Sequence, residues 1–257
     1  FYQYEPEVLI KDRNLIFFDN NGTILNFNEK INTFKFSTIK DTNQLNYKPV
    51  FLEDGLIFFD NKGTIIKYNL NGKVIWKKNI YSKSEKKLNP ILQFVNNGSN
   101  LVVADNIANY YMLDIKTGNL IWSKNNLAPF NSQIKIYKNK FFIIDLSNTL
   151  RCFSLENGEE LWSLKTENSL IRTQKKLSMI IINDKIYFIN SIGDISAIDI
   201  EKGELFWQLP TQSSLIYESS FSLKNSDLIS DGKSLFFSNN NNQFFSIDIE
   251  SGNLNWE

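Results

Sequence analysis

AIDIEKGELFW, residues 197–207, reads as strand, tight turn, strand. Ile198 and Ile200 alternate with Ala197 and Asp199, Glu201-Lys202-Gly203 supplies a turn whose glycine accepts a positive φ, and Leu205 and Trp207 resume the alternation on the returning strand. An isolated hairpin is marginal in water, so its tryptophan needs cover from outside the unit. That requirement predicts a stack of such units.

The pattern recurs along the chain. MLDIKTGNLIW ends at Trp122, CFSLENGEELW at Trp162 and SIDIESGNLNW at Trp256, while KYNLNGKVIW ends at Trp76 with one residue fewer before its glycine. All five tryptophans fall in this motif. With Phe34 as a degenerate first member, the spacings are 42, 46, 40, 45 and 49 residues, the length of propeller blades at about 40–50. Each repeat resolves into four short strands, A to D. In the second they are PVFLEDG, LIFFDNKG, TIIKYNLNG and KVIWKK. The expected fold class is therefore all-β: a β-propeller of four-stranded antiparallel blades, six of them recognisable in the 257 residues. The expectation is a single domain over 1–257, with blades ending near Phe34, Trp76, Trp122, Trp162, Trp207 and Trp256.

The B strands are apolar at nearly every position, which suits strands covered on both faces. The variable segments 36–48, 79–89, 123–132, 163–176 and 208–226 all join a D strand to the next A strand, and insertions in a repeat array gather on one face, often the binding face. Trp76, Trp122, Trp162, Trp207 and Trp256 are expected to dock blade on blade. Burying such an aromatic is worth roughly 4–6 kcal/mol gross, so Trp207→Ala is expected to cost about 3–5 kcal/mol.

Charge excludes some functions. Lys plus Arg equals Asp plus Glu at 28 each, which removes the electrostatic footprint of a nucleic-acid binder. Cys152 is the sole cysteine and reads as a small buried strand residue. Histidine is absent, which takes away the commonest general base and metal ligand and the usual form of a catalytic triad. Glu159 and Glu160 are adjacent on a strand and point to opposite faces, so they do not share a substrate. The runs starting at Asp19 and Asp60, and Asn239 to Asn242, read as turn chemistry rather than calcium loops. Lys83, Lys86 and Lys87 around Glu85 read as a solvated loop. No catalytic, cofactor-binding or metal-binding residue is expected, and no apolar run reaches the roughly 20 residues that span a bilayer.

The pattern A-x-D-x-x-x-G-x-x-x-W, complete in AIDIEKGELFW and partial in the other copies, resembles the tryptophan-docking repeat of the pyrroloquinoline-quinone propellers. Within that superfamily the chain looks like the BamB-like outer membrane protein assembly factors, which keep the blades without the cofactor chemistry. The quinone-dependent dehydrogenases often place adjacent cysteines beside the cofactor, and this chain has one cysteine. The resemblance implies a non-enzymatic scaffold, without a cofactor, that binds the barrel-forming subunit, BamA, of the outer-membrane assembly machinery, with nascent outer membrane proteins as further partners.

The same resemblance implies a site. Ser169-Leu170-Ile171-Arg172, after Trp162, is similar to the family's leucine-x-leucine-arginine contact motif, with Leu170, Ile171 and Arg172 as the partner-binding residues. Apolar anchors beside an arginine suit an interface hot spot. The next connection offers Asp227 as its acidic residue. Eight blades in the family imply about two beyond Trp256, with a closed six-bladed ring as the alternative, and a periplasmic position at the Gram-negative outer membrane implies a lipobox cysteine upstream of Phe1 as the only membrane contact. The alternatives are an unrelated interaction or sensor propeller and a fragment of a quinone-dependent dehydrogenase.

Overall fold

The computed structural model describes residues 7–11, 14–18, 23–27, 31–35, 50–60, 62–69, 73–166, 176–210, 226–238 and 243–257, the first four of these stretches as backbone only. Six four-stranded sheets follow one another along the chain. Blade one is β1 (Glu7–Lys11), β2 (Asn14–Phe18), β3 (Thr23–Phe27) and β4 (Ile31–Lys35); blade two is β5 (Val50–Leu52), β6 (Gly55–Phe59), β7 (Ile65–Asn69) and β8 (Val74–Lys78). Blade three is β9 (Leu92–Asn96), β10 (Asn100–Asp105), β11 (Asn109–Asp114) and β12 (Leu120–Asn125); blade four is β13 (Lys135–Tyr137), β14 (Lys140–Ile144), β15 (Thr149–Ser154) and β16 (Glu160–Lys165). Blade five is β17 (Met179–Ile182), β18 (Lys185–Ile189), β19 (Ile195–Asp199) and β20 (Leu205–Leu209); blade six is β21 (Ile229–Ser230), β22 (Ser234–Ser238), β23 (Phe244–Asp248) and β24 (Leu254–Trp256). Phe34 and the five tryptophans each lie in the fourth strand of a sheet.

The chain divides into two compact units, residues 1–103 with 112–121 and residues 104–111 with 122–257. In the first, Leu56, Phe58, Ile66 and Tyr68 form a buried cluster capped by Phe51 and Val74. In the second, the alternation of β18 splits one strand between two cores. Ile186 and Phe188 pack with Phe142, Ile144, Leu150 and Cys152 of blade four, while Tyr187 and Ile189 pack with Leu235, Phe237 and Ile247 of blade six. This is why the B strands are apolar without a polar face.

Two local features depart from the sequence reading. Residues 83–86 form a single helical turn, α1, closed by a capping box in which the Ser82 side chain accepts from Glu85 N and the Glu85 carboxylate accepts from Ser82 N. Ser and Glu at that spacing satisfy two orphan amides at once. The D strands, moreover, do not simply alternate. In β20 Trp207 sits opposite Ala197 but Leu205 sits opposite Ile198, so Phe206 is an extra, unpaired residue. The same bulge recurs at Ile75, Leu161 and Asn255. A bulge re-aims the neighbouring side chain and twists the outer edge. Ile75, Leu161 and Phe206 are accordingly about half exposed, as is Leu205, which plain alternation would have covered.

Candidate functional site

The repeated motif works as a docking device between consecutive copies. Its aspartate fixes the turn: Asp114 Oδ1 accepts from Thr117 N and Thr117 Oγ1, both at 2.7 Å, and Asp248 Oδ1 from Ser251 N and Ser251 Oγ, both at 2.8 Å. These hydrogen bonds, led by the Thr117 hydroxyl at Asp114 and the Ser251 amide at Asp248, hold both carboxyls below their usual range. Asp199 Oδ1 accepts from Glu201 N at 2.9 Å and Lys202 N at 2.6 Å. Blade four replaces the aspartate with Ser154, whose Oγ accepts from Glu156 N at 3.2 Å.

The glycine then receives the tryptophan of the preceding copy. Gly118, Gly158, Gly203 and Gly252 sit at φ of 70–74°, and a Cβ placed on them would come within 2.5–2.9 Å of the rings of Trp76, Trp122, Trp162 and Trp207 respectively. Only glycine serves both demands, left-handed backbone and a flat face. The indole N–H finds a carbonyl on the same turn: Trp76 Nε1 donates to Ile115 O at 3.0 Å, Trp122 Nε1 to Leu155 O at 2.9 Å and Trp207 Nε1 to Ile249 O at 3.2 Å. The Trp162 indole N–H is buried without a partner among the described residues. Trp256, the fifth, is 48% exposed and lies beside Phe236 and Phe244 with its ring tilted about 40° to each.

A second repeated device was not anticipated as such. In blades two to five the residue at the end of the B strand or just past it pins the following turn: Asp60 accepts from Lys62 N and Thr64 N, Asp105 from Ile107 N and Asn109 N, Asp145 from Ser147 N and Thr149 N, and Asn190 from Ile192 N and Asp194 N. The turn reading of Asp60 stands on these bonds, whereas Asp19 and Asn239 to Asn242 lie outside the described residues. The signal in the sequence was an Asp or Asn at a fixed distance before each C strand. In blade four the other oxygen of Asp145, a fully buried residue, accepts from Arg151 Nε at 2.8 Å, and Arg151 Nη1 continues to Glu160 at 2.6 Å. Burial alone would lower the Arg151 pKa, but the hydrogen bonds and charges of Asp145 and Glu160 outweigh it and raise the value.

Charged groups also join neighbouring copies. Lys140 at the start of β14 pairs with Glu201 in the next blade's turn, Lys185 at the start of β18 with Glu250, and Lys124 with Glu159. Glu159 and Glu160 thus serve different partners, Lys124 and Arg151. Cys152 is buried among Phe142, Phe188 and Ile198, and burial pushes its thiol up to about 12. Among the described residues no three His, Cys, Asp or Glu side chains are placed to hold a metal ion. Leu170, Ile171 and Arg172 lie outside the described residues, and Asp227 lies in the described stretch before β21.

The family described as outer membrane protein assembly factor BamB matches residues 47–257. The chain belongs to that family. The crystal structure of BamB from Moraxella catarrhalis is similar over 96% of this chain and 74% of that one, with 15% identity and a TM-score of 0.67. The computationally designed Ika8 protein is similar over 99% of this chain and 74% of its own, with 14% identity and a TM-score of 0.72. Saccharomyces cerevisiae Sqt1 is similar over 95% of this chain and 69% of its own, with 12% identity and a TM-score of 0.71. No curated protein sequence matches. At these identities the solved structures speak for the fold, and the BamB-family chain is an all-β protein of β-propeller type built from four-stranded antiparallel blades.

Proposed function

We propose that this chain is a non-enzymatic scaffold of outer membrane protein assembly that binds the barrel-forming, BamA-like subunit from the periplasmic side of a Gram-negative outer membrane. The observation that carries the reading is the family match over residues 47–257. Residues 1–257 then act as part or all of one propeller, tethered by a lipid anchor outside this stretch. Leu170, Ile171 and Arg172 are the proposed contact, because apolar side chains next to a guanidinium give an interface both desolvation and directional hydrogen bonds. Nascent outer membrane segments are proposed as further clients. The bulge before Trp76, Trp162, Trp207 and Trp256 interrupts the outer ladder, so the loop face rather than the outer edges is the surface offered to them.

The test is binding of the chain, and of an Ile171→Ala/Arg172→Ala variant, to the soluble periplasmic domains of the same organism's barrel-forming subunit. Binding that the variant loses at unchanged melting temperature is the expected result. An intact chain that does not bind favours the second reading, an interaction propeller with other partners, to which the likeness to Sqt1 and the designed Ika8 fold is equally compatible.

A further inference from the structure

Blades four and five carry equivalent strands that differ at the polar pair following the B strand and facing it from the C strand. Asp145 follows β14 and Arg151 of β15 lies opposite Ile143; in blade five Asn190 follows β18 and Ser196 of β19 lies opposite Phe188. Blade four fills the space between its two positions with a guanidinium bonded to the buried carboxylate. Blade five has only a hydroxyl at the matching place. Asn190 is 1% and Ser196 0% exposed, and among the described residues neither Asn190 Nδ2 nor Ser196 Oγ has a hydrogen-bond partner.

Three geometric facts bear on these two atoms. The amide orientation of Asn190 is set, because its Oδ1 accepts from Ile192 N at 3.1 Å and Asp194 N at 2.9 Å, leaving Nδ2 as the end that points away. Alternation puts Asn190 and Ser196 on the same face as Phe188, the face packed against Phe142 and Leu150 of blade four. As diagonal neighbours on an antiparallel pair their backbones are about 7–8 Å apart. Gln208 Nε2 donates to Asp194 Oδ2 at 2.8 Å on this face, and Ser191 N donates to Asn148 Oδ1 of blade four at 3.1 Å, so the surroundings are polar. The third buried polar atom without a partner among the described residues, Trp162 Nε1, belongs to the same interface.

We infer that a structural water occupies the blade-five position that the Arg151 guanidinium occupies in blade four, bridging Asn190 Nδ2 and Ser196 Oγ. A buried amide N–H left unmet carries a penalty that one ordered water removes, and polar, fully enclosed sites with at least two partners are where such waters reside. The water accepts from the amide and exchanges a hydrogen bond with the hydroxyl, so it pins β18 to β19 on the side that faces blade four. This assignment is independent of the chain's partner.

The test is a crystal structure of the full chain at a resolution that shows ordered solvent, alongside that of the Asn190→Asp/Ser196→Arg variant, which copies the blade-four pair. A density peak within hydrogen-bonding distance of both atoms, absent from the variant because the guanidinium stands in its place, is the expected result. An empty seam, or Nδ2 and Oγ each bonded to protein atoms, overturns the inference. Should the variant fail to fold, Ser196→Ala replaces it: the peak then vanishes or moves off residue 196, and a peak left unmoved overturns the bridge.

Discussion

The Trp122 ring lies flat against Gly158, so that a Cβ there would meet Cε3 at 2.9 Å, while its Nε1 donates to Leu155 O at 2.9 Å. One side chain of blade three therefore reads both the absence of a side chain and the direction of a carbonyl on the blade-four turn. The same two-point contact holds Trp76 to the Ile115–Gly118 turn and Trp207 to the Ile249–Gly252 turn.

Gly158→Ala is expected to destabilise by about 2–4 kcal/mol, combining left-handed strain with overpacking against the ring. Gly232 is the control. It also has a positive φ, 91°, but nothing lies within 4 Å of an added Cβ. Gly232→Ala is therefore expected to cost only the backbone part, about 1–2 kcal/mol. Urea midpoints of the two variants measure the difference, and equal midpoints would show that the ring yields freely.

Trp122→Ala is expected to cost about 3 kcal/mol, at the low end for a core tryptophan because the ring edge stays partly in solvent. Trp256→Ala should cost about 1 kcal/mol, since that side chain is 48% exposed. Thermal unfolding of this chain with each substitution decides; a Trp256 variant as damaged as the Trp122 variant would mean that exposure is a poor guide here.

Arg151 and Asp145 form the ion pair whose removal should be asymmetric. Arg151→Met strands a fully buried carboxylate and is expected to cost about 3–5 kcal/mol. Adding Asp145→Asn keeps the turn-pinning oxygen but removes the charge, and should return at least about 1 kcal/mol. A double-mutant cycle measures the coupling. No recovery in the double variant would place the cost of Arg151→Met in lost packing instead.

Alkaline pH should weaken the fold. Burial first, with nearby carboxylates adding, raises Tyr110 and Tyr187 from 10.0 to about 12, and burial raises Cys152 from 9.0 to about 12. The unfolded chain releases these protons earlier than the folded one, so their contribution is complete below about pH 9 and is lost as pH rises towards 12. Denaturant midpoints across that window should fall, and Cys152→Ala should flatten the first part of the decline. A thiol reagent at neutral pH should label Cys152 only in denaturant; rapid labelling of the native chain would contradict its burial.

The blade period, the four strands per repeat and the aspartate–glycine–tryptophan spacing were legible in the sequence because they rest on local physics: alternation sets strands, and Asp and Gly set turns. Burial of Cys152 was legible for the same reason. The D-strand bulge was not, since AIDIEKGELFW alternates acceptably with or without an extra residue and only pairing with β19 shows Phe206 to be unmatched. The capping box at Ser82 and Glu85 was present in the letters but overshadowed by the lysines around it.

What the chain determines by itself is a repeating hairpin that cannot cover its own tryptophan. Which glycine covers it and how far the ring remains in solvent were decided by tertiary structure. Those outcomes depend on side chains some 36–45 residues away, brought alongside only when neighbouring blades pack.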